Sequence, residues 1–122
     1  MTITLNHTIV PARDKTAAAQ FFARIFGLQA DPKSGYFTPV RINDTLTLLF
    51  DDHEPFASHH YAFHVSDAEF DAILDPVRGA KLTYGSAPWS LDDAKLNDWN
   101  GGRGVYFCDP DGHVLELMTV PQ

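Results

Sequence analysis

Two histidines recur in the same local setting: His7 stands seven residues before Asp14, and His60 stands seven residues before Asp67. Each His opens a short apolar stretch that reads as a strand, and each Asp opens a stretch with helical periodicity. Two copies of one supersecondary unit in a small chain suggest an enclosure between them. The end of the second copy adds Glu116, inside Val114-Leu115-Glu116-Leu117-Met118. Two imidazoles and one carboxylate suit an open divalent metal site, because three protein ligands leave positions for water or substrate. Taken singly, either His is more often a hydrogen-bonded boundary residue, and Glu116 on an edge strand would face solvent. Taken together they read differently, since a carboxylate buried without a partner is costly and a nearby cation removes that cost. Fe, Mn, Zn and Ni ions all fit this donor set.

Other side chains surround these three in the pattern. His59 competes with His60, but strand parity puts it on the opposite face. His64, four residues beyond His60, shares the ligand face, either as a base near the metal or as a residue at the rim of the cavity. Tyr106 is a candidate proton donor or oxygen-orienting phenol, against the alternative of an aromatic core residue with a satisfied hydroxyl. Cys108 has the parity of Tyr106 and reads as a small buried hydrophobe beside the substrate rather than a nucleophile. The stretch from Gly85 to Arg103 is long, polar and carries Trp89 and Trp99. A loop of that length is either a substrate cover or a surface excursion. His113 falls at a hairpin and reads as a turn residue.

These groups need elements to carry them. Ile3 to Val10 reads as a strand ended by Pro11, followed by an Asp14-capped helix with an apolar stripe at Ala18, Phe22, Ile25 and Phe26 that stops at Gly27. After a polar turn at Asp31 to Gly35 come strands Tyr36 to Ile42 and Thr45 to Phe50, joined at Asn43-Asp44. The pattern restarts with strand His60 to Val65, a Ser66-x-x-Glu69 capping box, and a helix through Phe70, Ile73, Leu74 and Val77 to Gly79 in which Pro76 predicts a kink or early end. Lys81 to Tyr84 is a short strand. Gly104 to Cys108, the turn Asp109-Pro110-Asp111-Gly112 and His113 to Thr119 form a closing hairpin.

The 122 residues make a single domain: module one at about 1–51, a linker at about 52–58 and module two at about 59–122. A formal charge of −7 with scattered Lys and Arg argues against nucleic acid and anionic membrane as partners and leaves a small-molecule substrate. One cysteine excludes an intrachain disulfide. No apolar run spans a bilayer, and the first residues lack a signal-peptide pattern, so a cytoplasmic protein is expected. Each module's sheet is too small to cover both faces, which predicts a homodimer.

Leu5-Asn6-His7, Phe26-Gly27-Leu28, His60-Tyr61-Ala62-Phe63 and Tyr106-Phe107-Cys108-Asp109-Pro110-Asp111-Gly112-His113 leading to Leu115-Glu116 occur in an order that resembles the vicinal oxygen chelate superfamily. That group includes glyoxalase I, extradiol dioxygenases, fosfomycin-resistance thiol transferases and bleomycin-resistance proteins. The resemblance covers essentially the whole chain. It implies an α+β fold of two paired βαβββ modules whose strands form a cup around a divalent metal held by His7, His60 and Glu116, with a site that two chains can share. It also implies a lyase, isomerase, dioxygenase or thiol-transferase activity on an oxygen-chelating substrate, or sequestration of a small molecule without catalysis. Glyoxalase I takes a fourth ligand from module one; matching Leu46-Thr47-Leu48-Leu49 to Leu115-Glu116-Leu117-Met118 places Thr47 there, a poor ligand, which argues against that activity. A fosfomycin-type substrate needs several cations, and module two offers only Arg78, Lys81, Lys95 and Arg103.

Overall fold

The computed structural model describes residues 2–31 and 35–122. The chain divides into two units, Met1–Ala57 and Ser58–Gln122.

In the first unit, strand β1 (His7–Ala12) leads to helix α1 (Lys15–Phe26), then β2 (Thr38–Arg41) and β3 (Thr47–Asp52). Asp14 caps α1 by accepting from the Thr16 and Ala17 amides, and Gly27 closes it at φ 69°, a left-handed conformation that glycine adopts without strain. The sheet order is β1-β3-β2, with β1 parallel to β3 and β2 antiparallel to it. A single bridge from Ala30 to Val40 extends the β2 edge where a fourth strand would lie. Ala18, Ala19, Phe22 and Ile25 of α1 are buried, as are Val10, Val40, Leu48 and Phe50 of the strands. Asn43 makes the β2–β3 turn by accepting from the Thr45 and Leu46 amides, both at 2.9 Å.

Pro11 does not end β1 as the sequence predicts. The Asn6 and Ala12 carbonyls accept from Thr47 and His53, so even-numbered residues carry the ladder and the missing donor of Pro11 falls on the open sheet edge. The turn expected at Asp31 to Gly35 includes residues 32–34, which lie outside the described residues.

The second unit repeats the plan: β4 (His60–His64), α2 (Asp67–Gly79), β5 (Tyr84–Gly85), β6 (Gly104–Cys108) and β7 (Val114–Met118). Its order, β4-β7-β6-β5, has β4 parallel to β7, so the two units share one topology. The capping box is formed: Ser66 Oγ accepts from the Glu69 amide and Glu69 Oε1 from the Ser66 amide. Pro76 does not end α2 early, since the helix runs on to Gly79. Its missing donor would have served Ala72, which is exposed, and the Pro76 carbonyl still accepts from the Ala80 amide. The strand predicted at Lys81 to Tyr84 shrinks to β5, because Lys81 and Leu82 are used to close the helix. Lys81 is left-handed at φ 56°, and the Leu82 amide bonds back to the Val77 carbonyl. Phe70, Ile73, Leu74 and Val77 are buried with alternate strand residues Val105, Phe107, Leu115 and Leu117.

Candidate functional site

The opposite parity of the second sheet forms a small grid whose rows follow from strand register. His60 is level with Val114 and Cys108, Ala62 with Glu116 and Tyr106, and His64 with Met118 and Gly104. Glu116 therefore sits at the centre of this face, flanked by the small Ala62 and the phenol of Tyr106.

The central residues are joined. Glu116 is 4% exposed, and its Oε1 accepts from His60 Nε2 at 2.9 Å. The Tyr106 hydroxyl donates to the same carboxylate, and burial, with the Glu116 bond and charge adding to it, pushes the phenol far above its usual range. Tyr106 thus keeps its proton and acts as a donor, not a base. Gln122, which no sequence pattern marks, donates from Nε2 to Glu116 Oε2 at 3.4 Å. Two donors about 2.1 Å from one divalent ion stand about 3.0 Å apart at the right angles of an octahedral site and about 3.4 Å apart at tetrahedral angles. The His60 Nε2–Glu116 Oε1 separation of 2.9 Å is close to the right-angle edge, so the two side chains could serve as adjacent ligands of an ion with that geometry. Among the described residues no three His, Cys, Asp or Glu side chains are grouped closely enough to hold an ion. Within the second unit His60 and Glu116 are the two candidate ligands.

Aromatic rings continue outward from this pair. The His60 and Tyr106 centroids are 5.7 Å apart, Trp99 meets Tyr106 edge-on at 5.9 Å, and Trp89 leans on Trp99 at 6.1 Å. Trp89 is 80% exposed, so this ladder runs from Glu116 to the surface. The loop that carries it is braced. Asp93 accepts from the Ser86 amide and hydroxyl, Asn97 donates to the Ser86 carbonyl at 2.9 Å and accepts from the Trp99 amide at 3.2 Å, and Asn97 pairs with Gly104 across a bridge.

Cys108 lies level with His60 two strands away, and burial raises its thiol above the usual range, which keeps it protonated. His64 lies at the far end of the face, roughly 13 Å along the strand from His60 at the usual rise per residue. Its Nε2 donates to the Thr119 carbonyl at 3.2 Å. His59, on the other parity, bonds Tyr61 Oη through Nδ1.

His113 closes the connection between β6 and β7, but its side chain is not at the surface: it is 0% exposed. A signal was present, since His113 has the parity of the core residues Leu115 and Leu117.

In the first unit His7 is exposed and level with Thr47. Its Nδ1 donates to Asn6 Oδ1 at 2.8 Å, which assigns the lone pair to Nε2. Arg41, Pro39 and Thr47 line a hollow of about 530 Å³ with Gln29, Ala30 and Asp31. Register also corrects the match between modules. His7 pairs with Thr47 as His60 pairs with Val114, so the residue equivalent to Glu116 is Leu49, not Thr47. Leucine offers no donor, so this position of the first unit supplies no fourth ligand.

No family model matches the chain. Two solved structures cover nearly all of it. The oxidase ChaP-H2 is 46% identical with a TM-score of 0.93, covering 99% of this chain and 96% of its own. The oxidase ChaP-H1 is 42% identical with a TM-score of 0.92, covering 98% of each. A curated relative, metallothiol transferase FosB of Lysinibacillus sphaericus (strain C3-41), is 26% identical over 121 residues, 94% of this chain and 81% of its own.

Proposed function

Since the chain belongs to the vicinal oxygen chelate superfamily, we propose that it is a metal-dependent oxidase of a small, flat substrate that presents two neighbouring oxygens. The observation that carries the reading is the His60 Nε2–Glu116 Oε1 pair at 2.9 Å, held by Tyr106 under an aromatic ladder. Similarity to two oxidases at above 40% identity favours oxidation over the other chemistries of the superfamily.

In this reading His60, Glu116 and His7 hold the ion, with His7 supplied by the same chain or by a second copy in a homodimer. The bound ion supplies a Lewis acid for the substrate oxygens and, as Fe(II), a partner for dioxygen. The protein's own part is positional. Tyr106 holds the Glu116 carboxylate by a donated hydrogen bond. Trp99 and Trp89 lay apolar faces over the substrate and exclude water, and Ala62 leaves space beside Glu116. Neither Cys108 nor His64 takes part, the first because its thiol stays protonated and the second because it is bound to Thr119 at the far end of the face.

Similarity to FosB supports a second reading, transfer of a thiol. Two of the four cations in the second unit are already engaged: Arg103 with Asp67 and Asp71, Arg78 with Tyr84. That leaves little to hold a phosphonate. Full-length protein loaded with Fe(II) or Mn(II) should be given catechols and 2-hydroxy ketones in an oxygen electrode, and epoxides with a thiol in a parallel thiol assay. Oxygen uptake that disappears in Glu116→Ala is expected. Thiol loss without oxygen uptake would replace the oxidase by a transferase, and tight binding without either would replace it by sequestration.

A further inference from the structure

The buried imidazole of His113, just before β7, has no role in the chemistry above. In a regular parallel ladder the His59 amide would donate to the carbonyl of residue 112 while the His59 carbonyl accepts from the Val114 amide. The second bond is present at 2.8 Å. The first is not. The His59 amide donates instead to His113 Nδ1 at 2.9 Å, and the Gly112 carbonyl accepts from Ser58 Oγ at 2.7 Å. An imidazole thus stands in for a ladder carbonyl at the residue directly before His60.

The ring is well placed for that task. Its own amide donates to Asp109 Oδ1 at 2.9 Å, its carbonyl accepts from the Asp109 amide at 3.0 Å, and the rings of His59 and Tyr61 pack 5.3 and 6.0 Å away. Glu116 follows three residues later, on β7. Among the described residues β4 pairs with β7 alone, which sets its register. We infer that His113 is a positioning residue that fixes the His60–Glu116 separation, fastening the entry of the strand that carries one ligand to the strand that carries the other. This rests on the reading of His60 and Glu116 as metal ligands.

The test uses full-length protein and Co(II) alone as probe, with His113→Leu to remove the acceptor and His113→Asn to keep an oxygen near the Nδ1 position. Loss of a group that orients a metal ligand typically weakens metal binding by about 10- to 100-fold. Folded His113→Leu should show a loss of that size and an altered Co(II) spectrum. In metal-free protein the His60 Nε2 proton resonance should also move, and His113→Asn should restore most of both. Co(II) affinity within about twofold of wild type and an unmoved His60 resonance would overturn the inference, because a merely structural histidine would change neither. Should His113→Leu fail to fold, His59→Pro cuts the same bond from its donor at the exposed strand entry, with His59→Ala as control for the lost ring. Native Co(II) affinity in folded His59→Pro would equally defeat the proposal. His60→Ala and Glu116→Ala separate the two levels. If Co(II) binding survives in them, the ligand reading itself fails; if it is lost in them but kept in His113→Leu, only the positioning role fails.

Discussion

Removing the Tyr106 hydroxyl tests the electrostatics of the site without touching its shape. Tyr106→Phe keeps the ring against His60 and Trp99 and deletes the donor to Glu116, a side chain that is 4% exposed and so has little water to replace the bond. A hydrogen bond to a charged group contributes about 1.5–3 kcal/mol, and one between neutral groups about 0.5–1.5 kcal/mol. Tyr106→Phe should therefore lower stability by about 2 kcal/mol, but by only about 1 kcal/mol in a Glu116→Gln background. The coupling between the two positions is then about 1 kcal/mol in a double-mutant cycle. Urea unfolding at neutral pH with a chelator present isolates this term from any bound ion. Zero coupling, or a Tyr106→Phe protein as stable as wild type, would mean that the hydroxyl does not serve Glu116.

Alkali should unfold the protein by a route that depends on tyrosine. Burial, helped by the Asp109 charge, pushes Tyr61 up to about 12. An unfolded tyrosine ionises near pH 10, so this contribution is fully present below about pH 10 and is lost as pH rises through about 12. Tyr61→Phe should flatten the fall of the urea midpoint above pH 10, and an unchanged slope would count against the burial. At Gly104 an added Cβ would meet Asn97 Oδ1 at 2.5 Å. Gly104→Ala should thus displace Asn97, release the Trp99 amide and shift tryptophan fluorescence, and an unaltered spectrum would show that the brace does not hold Trp99. Light scattering at micromolar concentration should give twice the chain mass; a monomer would exclude the version in which His7 comes from a second copy.

The repeat was legible because its signals are local. Asp14, Gly27, Ser66 and Glu69 act within a few residues of themselves, and each caps the helix end that its type and spacing predict. The β6–β7 hairpin sets Tyr106 opposite Glu116. What escaped depends on pairing between strands. Pro11 continues β1 because it lies on an edge, and that is a property of the sheet. His113 reads as a turn residue from the Asp-Pro-Asp-Gly before it, yet it is buried because the ladder of a strand more than fifty positions away needs its nitrogen. The equivalence of Leu49 with Glu116 likewise follows from register, whereas similarity of the strings points one pair of residues off. No helix of the described residues is long and apolar enough to cross a membrane.

The proposed chemistry depends on a metal held by His60 and Glu116 with His7. Its most direct test is the metal content of full-length protein purified without chelator, incubated with Fe(II), Mn(II), Zn(II) or Ni(II) and freed of excess, beside His7→Ala, His60→Ala and Glu116→Ala. One tightly held ion per chain in wild type, lost in each folded variant, is the predicted result. Wild type that retains no ion, or a variant that retains as much as wild type, would contradict it.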